Sequence, residues 1–127
     1  MEAVVIVTIL ALLQFTYFGF QVGGARRKTG TKAPASVGPP EFERANRVHM
    51  NTLEQLMLFL PALWLFGQNV NPLWAAGFGA VFIVGRFVYR ASYMKDPSGR
   101  SPGFMLTILP SMIMAIWVLS DAVKSYF

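Results

Sequence analysis

Four uncharged stretches, residues 3–22, 55–70, 73–85 and 104–119, make up about half of this 127-residue chain. A transmembrane helix needs about 20 mostly apolar residues, and each stretch approaches that length, the third only when the arginines after it are counted as helix. Charged residues are 13% of the chain, against about 25% in an ordinary soluble domain. The reading is an all-α integral membrane protein. A single domain over 1–127 holds a four-transmembrane-helix bundle, with spans near 3–22, 41–66 (membrane part 55–70), 72–94 and 102–120. The first stretch lacks a basic start and exceeds the roughly 7–15 residues of a signal-peptide core, so it is read as a retained span.

A net charge of +5 would suggest nucleic acid in a soluble protein, but here the placement of the cations matters more than their sum. Arg26, Arg27, Lys28, Lys32, Arg44 and Arg47 surround the first connection, and Lys95 and Arg100 lie in the third with Arg86 and Arg90 close by. The second connection, 67–72, has none. The positive-inside rule then places loops one and three in the cytoplasm and both termini opposite, which needs four spans and no nucleic acid partner.

Residues 23–40 hold four glycines and three prolines among small and basic residues, a composition that interrupts helices and reads as a loop. Gly19 and Gly23 are spaced for close helix approach, but Gly23 and Gly24 more simply end helix one. Glu41 and Glu43 suit the first turn of helix two, and Pro61 is expected to bend it. The Asp-Pro and Ser-Gly pairs in 95–103 mark a turn before helix four, which contains Pro110.

The informative residues lie at the basic ends. On helix two, Arg47, Asn51 and Glu54 recur at i, i+4 and i+7; on helix three, Arg86, Tyr89, Arg90 and Tyr93 recur at i, i+3, i+4 and i+7, so each set forms one stripe. An ionisable group inside a span costs about 2.5–3.5 kcal/mol on insertion scales, so several of both signs imply a polar cavity. Arginines outnumber acids there, which suits an anionic ligand held in bidentate geometry; Arg86 is read as one of its contacts. A purely structural alternative has Arg47 and Glu54 locking helices together while Arg86 and Arg90 reach lipid phosphates. The chain has no cysteine and one histidine, so a transition-metal site is not expected and any thiol chemistry must arrive with a ligand.

Three segments resemble the MAPEG family, the membrane-associated proteins in eicosanoid and glutathione metabolism. They are QVGGARR at 21–27, GPPEFERANRVHMNTLE at 38–54 and RFVYRASYMKDPSGR at 86–100. The FERxxRxxxNxxE core of the second is the most specific, and the compact first loop is similar to the leukotriene and glutathione transferase branch. The resemblance implies a homotrimer with three glutathione sites between subunits. Arg47, Asn51, Glu54, Tyr89 and Tyr93 would hold glutathione from one subunit; Arg26, Arg27 and His49 would approach from the next. Arg100 would activate the thiol, assisted by Arg27 or Ser101, for attack on a lipophilic electrophile arriving from membrane lipid. Gln55 stands where some members have tyrosine, and Pro61 lies about one turn later than in several others.

The chemistry fits that assignment. A thiol of pKa about 8.5 is only about 3% thiolate at neutral pH, and the thiolate is the nucleophile. Lowering the pKa by about two units takes roughly 2.7 kcal/mol, the order supplied by one arginine about 4 Å away at an effective dielectric near 20. The expected function is a membrane glutathione transferase, with lipid-hydroperoxide peroxidase activity as an extension. A noncatalytic lipid-binding scaffold is the alternative. A small multidrug transporter ranks lower, because the first span carries no acid.

Overall fold

The computed structural model describes residues 1–127 as four long helices. These are α1 (Glu2–Thr29), α2 (Pro40–Asn69), α3 (Pro72–Lys95) and α4 (Ser101–Tyr126), with a short 3-10 turn, Pro97–Gly99, ahead of the last. By length and apolarity α1, α3 and the segment holding α4 suffice to cross a membrane; the first half of α2 carries the ions already noted. The helices alternate in direction, and α2 packs on all three others. The bundle therefore has a basic end, with the α1–α2 and α3–α4 connections, and an opposite end with both termini and the α2–α3 connection.

Helix α1 corrects one expectation: it does not stop at Gly23 but runs through Thr29. Arg26, Arg27 and Lys28 occupy its last turn, where cations favour the helix dipole. Gly30 then ends it at φ 72°, its N–H donating to the Arg26 carbonyl, in the left-handed conformation that glycine adopts without a Cβ penalty. A Cβ at Gly23 or Gly24 would meet nothing, whereas one at Gly19 would lie 3.1 Å from His49 Nε2. The glycine pair therefore mediates no close helix contact within the chain, and Gly19 makes room for an imidazole. The other turns are short because side chains cap them. Asn71 accepts from Leu73 N and Trp74 N at 2.9 and 3.1 Å, starting α3 directly after α2.

The opposite half of the bundle is packed by apolar side chains. Val4, Val7 and Ala11 meet Leu56, Phe59, Leu63, Phe66, Ala75, Phe82 and Met114, with the Phe59 and Phe82 rings stacked at 3.8 Å. Lipid tails are as apolar as these residues, so van der Waals fit and interhelical hydrogen bonds, rather than escape from water, hold helices together there. Trp64 Nε1 donates to Thr8 Oγ1 at 2.9 Å and Gln14 Nε2 to the Ile83 carbonyl at 2.9 Å, tying α1 to α2 and to α3. Large apolar side chains such as Ile6, Leu13, Phe20, Val84 and Ile116 remain exposed, forming an outer surface suited to lipid.

Candidate functional site

Near the basic end, α2, α3 and α4 enclose a half-open cavity of about 540 Å³. Helix α2 contributes Arg47 and Asn51, α3 contributes Tyr89 and Tyr93, and the start of α4 contributes Arg100, Ser101, Phe104 and Met105. The close seat of α4 on α3 depends on glycine. A Cβ at Gly103 would fall 2.4 Å from the Tyr89 Cα and N, and one at Gly85 would fall 2.8 Å from Leu106 Cβ. Backbone contact at these points brings Arg100 and Ser101 to the tyrosines. Small residues at helix crossings are the sequence signal for this; it went unread at Gly85 and Gly103, as did the apolar wall of Phe104 and Met105.

The turn that presents Arg100 is built locally. Asp96 Oδ1 accepts from Ser98 N at 3.0 Å, and Gly99 N donates to the Asp96 carbonyl at 2.9 Å. The bond from the Ser98 N–H holds the Asp96 carboxyl below its ordinary pKa, because it favours the charged form. Arg100 Nη1 donates only to the Pro97 carbonyl, at 3.2 Å, and the residue is exposed. From α2, Arg44 Nη1 donates to the Met94 and Lys95 carbonyls at 3.1 and 3.3 Å, capping α3 just before that turn.

Arg47 and Glu54 pair at 3.3 Å. The pair lies within α2, so it does not lock helices together, and both side chains remain about half exposed, where an ion pair contributes little. Glu54 does not itself line the cavity but pairs with Arg47, which does. The two tyrosine rings stack at 5.5 Å.

Arg86 sits apart from the rest of its stripe. It is fully buried and does not line the cavity. Its Nη1 donates to Thr107 Oγ1 at 3.2 Å, and its Nη2 to Asn51 Oδ1 at 2.8 Å and Thr52 Oγ1 at 3.0 Å. The guanidinium also lies 4.3 Å from the centre of the Tyr89 ring, a cation–π contact. The residue thus stands behind the wall, touching Asn51 and Tyr89 from inside. Arg90, half-buried, donates from its Nε to Gln21 Oε1 on α1, tying α3 to α1.

Arg26, Arg27 and His49 do not line this cavity. Arg26 Nη1 donates to the Ala35 carbonyl at 2.9 Å while its guanidinium covers the Phe42 ring. Arg27 is exposed, and the His49 ring stacks on Phe15 at 4.4 Å. Gln55 is half-buried, and Pro61 sits on the exposed side of an unbroken α2.

A cavity with two arginines at its rim, a third behind its wall and a phenolic pair on its floor is the setting in which the chain's relatives become informative. The MAPEG family model matches residues 4–120. The chain belongs to the MAPEG family. An uncharacterised protein of Synechocystis sp. is 43% identical over 90% of this chain and 83% of its own length. Human microsomal glutathione S-transferase 2 is 39% identical over 94% of this chain and 84% of its own. Bovine leukotriene C4 synthase is 36% identical over 89% and 72% respectively. With the span-length helices, MAPEG membership makes this an integral membrane protein.

Proposed function

We propose that the protein is a membrane-bound glutathione transferase that binds glutathione in the cavity between α2, α3 and α4 and ionises its thiol with Arg100. The carrying observation is that Arg47 and Arg100, from different helices, open on one hollow with Asn51, Tyr89, Tyr93 and Ser101, while Phe104 and Met105 complete its wall. Arginine forks bind carboxylates in a fixed plane, so Arg47 holds a glutathione carboxylate and Glu54 takes the ammonium. Arg100, whose guanidinium has one backbone acceptor and is otherwise free, faces the sulfur. The phenols of Tyr89 and Tyr93 and the Ser101 hydroxyl donate to the ligand.

The reaction follows from that placement. The thiol proton leaves to water, the Arg100 charge stabilises the thiolate, and the sulfur forms a bond to the electrophilic carbon as its leaving group departs. An apolar wall beside a lipid-facing surface admits greasy electrophiles, and lipid hydroperoxides are a second substrate class.

The working unit is a homotrimer in which Arg26, Arg27 and His49 of a neighbour close each site, with Arg27 assisting at the thiol. Their separation from the cavity within one subunit is compatible with that arrangement. The basic end faces the cytoplasm by the positive-inside rule, where glutathione is dissolved. The names of the human and bovine relatives supply independent support for a glutathione-linked transferase.

Conjugation of a chlorinated nitroaromatic by purified protein tests the proposal. Activity in the wild type and its loss in Arg100→Ala is the expected result; equal rates in the two proteins would remove Arg100 from the mechanism.

A further inference from the structure

Arg86 is the largest fully buried side chain in the protein, and both ion pairs in the molecule lie elsewhere. All three of its hydrogen-bond partners are neutral, and its Nε is buried without one. The two hydroxyl partners have committed their own protons to helix carbonyls, Thr52 to Val48 at 2.7 Å and Thr107 to Gly103 at 2.9 Å. Each can therefore only accept from Arg86. A buried cation without a counter-ion is costly, and an aspartate at position 51 would supply one without changing the shape of the side chain. The chain has asparagine there.

That choice has a directional consequence. A guanidinium carries donors and no acceptor, so the Asn51 atom that meets Arg86 at 2.8 Å is its oxygen. The amide nitrogen is thereby turned away from Arg86, and Asn51 lines the cavity. Asn51 therefore offers a ligand its N–H donors, its oxygen being directed at Arg86. Arg86 itself adds an uncompensated positive charge behind the same wall.

We propose that Arg86 is a positioning residue that holds the Asn51 oxygen toward itself and so turns the amide N–H donors to the cavity, so that the ligand group seated against Asn51 is a carbonyl or carboxylate oxygen and not an N–H. This rests on the reading of the cavity as a glutathione site and refines it. The tripeptide carries both peptide N–H and C=O groups, and the wall selects an oxygen. Asparagine in place of aspartate is then a concession of stability to binding.

Asn51→Asp in the full-length protein in detergent separates these roles. The new carboxylate pairs with Arg86 through one oxygen and presents the other where the donor stood. Its thermal midpoint should rise by a few degrees, while its glutathione Kd, measured by calorimetry, should weaken at least about tenfold, since a lost donor is compounded by repulsion of the ligand oxygen. Arg86→Lys, which keeps the charge and one donor toward Asn51, should retain most of the binding. An Asn51→Asp protein that binds glutathione like the wild type would overturn the proposal, as would one whose midpoint falls together with its binding, because that is the signature of a merely structural residue. Wild-type protein that takes up no glutathione in the same calorimetry would overturn the underlying glutathione reading and this inference with it, and that result is visible before any variant is compared.

Discussion

The two ends of the bundle are held together by different physics, although the same four helices run through both. At the end with the termini, helices meet through close-fitting apolar side chains such as the Phe59–Phe82 stack. At the basic end, contact is made by glycine-mediated backbone approach and by arginines that donate across helices. Polar groups withdrawn from water are costly unless paired, so the basic end commits most of its donors internally and leaves a small exposed set, chiefly Arg47 and Arg100, toward the cavity. On the proposed reading, the apolar half serves as a frame and the ionic half as the working part.

The sharpest separation of the halves comes from Arg100→Ala. Losing about two pKa units of thiolate stabilisation drops the thiolate from roughly three-quarters of the bound glutathione to about 3% at neutral pH and lowers the conjugation rate about 25-fold, while the thermal midpoint stays unchanged because the guanidinium holds only the Pro97 carbonyl. Rate and melting measurements on one preparation check both halves of that statement.

Phe59→Ala is the mirror image. With lipid rather than water as the surroundings, the hydrophobic transfer contribution is small and the cavity left behind dominates, for a loss of about 2 kcal/mol. Denaturation in detergent should show that loss, with the rate per folded molecule preserved. A large fall in that rate would mean that the frame and the site are one cooperative unit.

Overpacking gives a matched pair. The Cβ of Gly79→Ala would meet Val7 Cγ1, a side-chain atom that can move, whereas that of Gly103→Ala would meet the Tyr89 backbone, which cannot. Both should cost about 1–3 kcal/mol of stability, but only Gly103→Ala should also depress activity, by displacing Arg100 from the tyrosines.

Glu54→Gln has the smallest expected effect. Its partner Arg47 is half exposed, so stability changes by about 0–1 kcal/mol, while glutathione affinity falls as the carboxylate for its ammonium is lost. A titration of glutathione binding, with melting as the control, reads both.

Much of this organisation was legible in the chain. Hydropathy marked the four helices because lipid imposes a length on each, and the i, i+4, i+7 stripe put Arg47 and Asn51 on the face that bounds the cavity. Periodicity gives the face of a helix but not its depth, so it could not show that Arg86 lies behind the cavity wall. Its burial depends on Thr52 and Thr107, two residues that look unremarkable in a membrane sequence. The end of α1 was misread for a related reason: glycine weakens a helix on average, yet three basic residues at the dipole's negative end and a glycine cap at Gly30 carried α1 seven residues past 22. The backbone approach at Gly85 and Gly103 needed knowledge of which helices cross where.

The most direct test of thiol ionisation by Arg100 is ultraviolet difference absorption of the thiolate in the glutathione complex, titrated with pH for the wild type and Arg100→Ala. The account predicts thiolate in the wild-type complex at neutral pH and a return of the Arg100→Ala complex toward the free-thiol pKa of about 8.5. The same thiolate signal in both proteins, or none in the wild type, would contradict it.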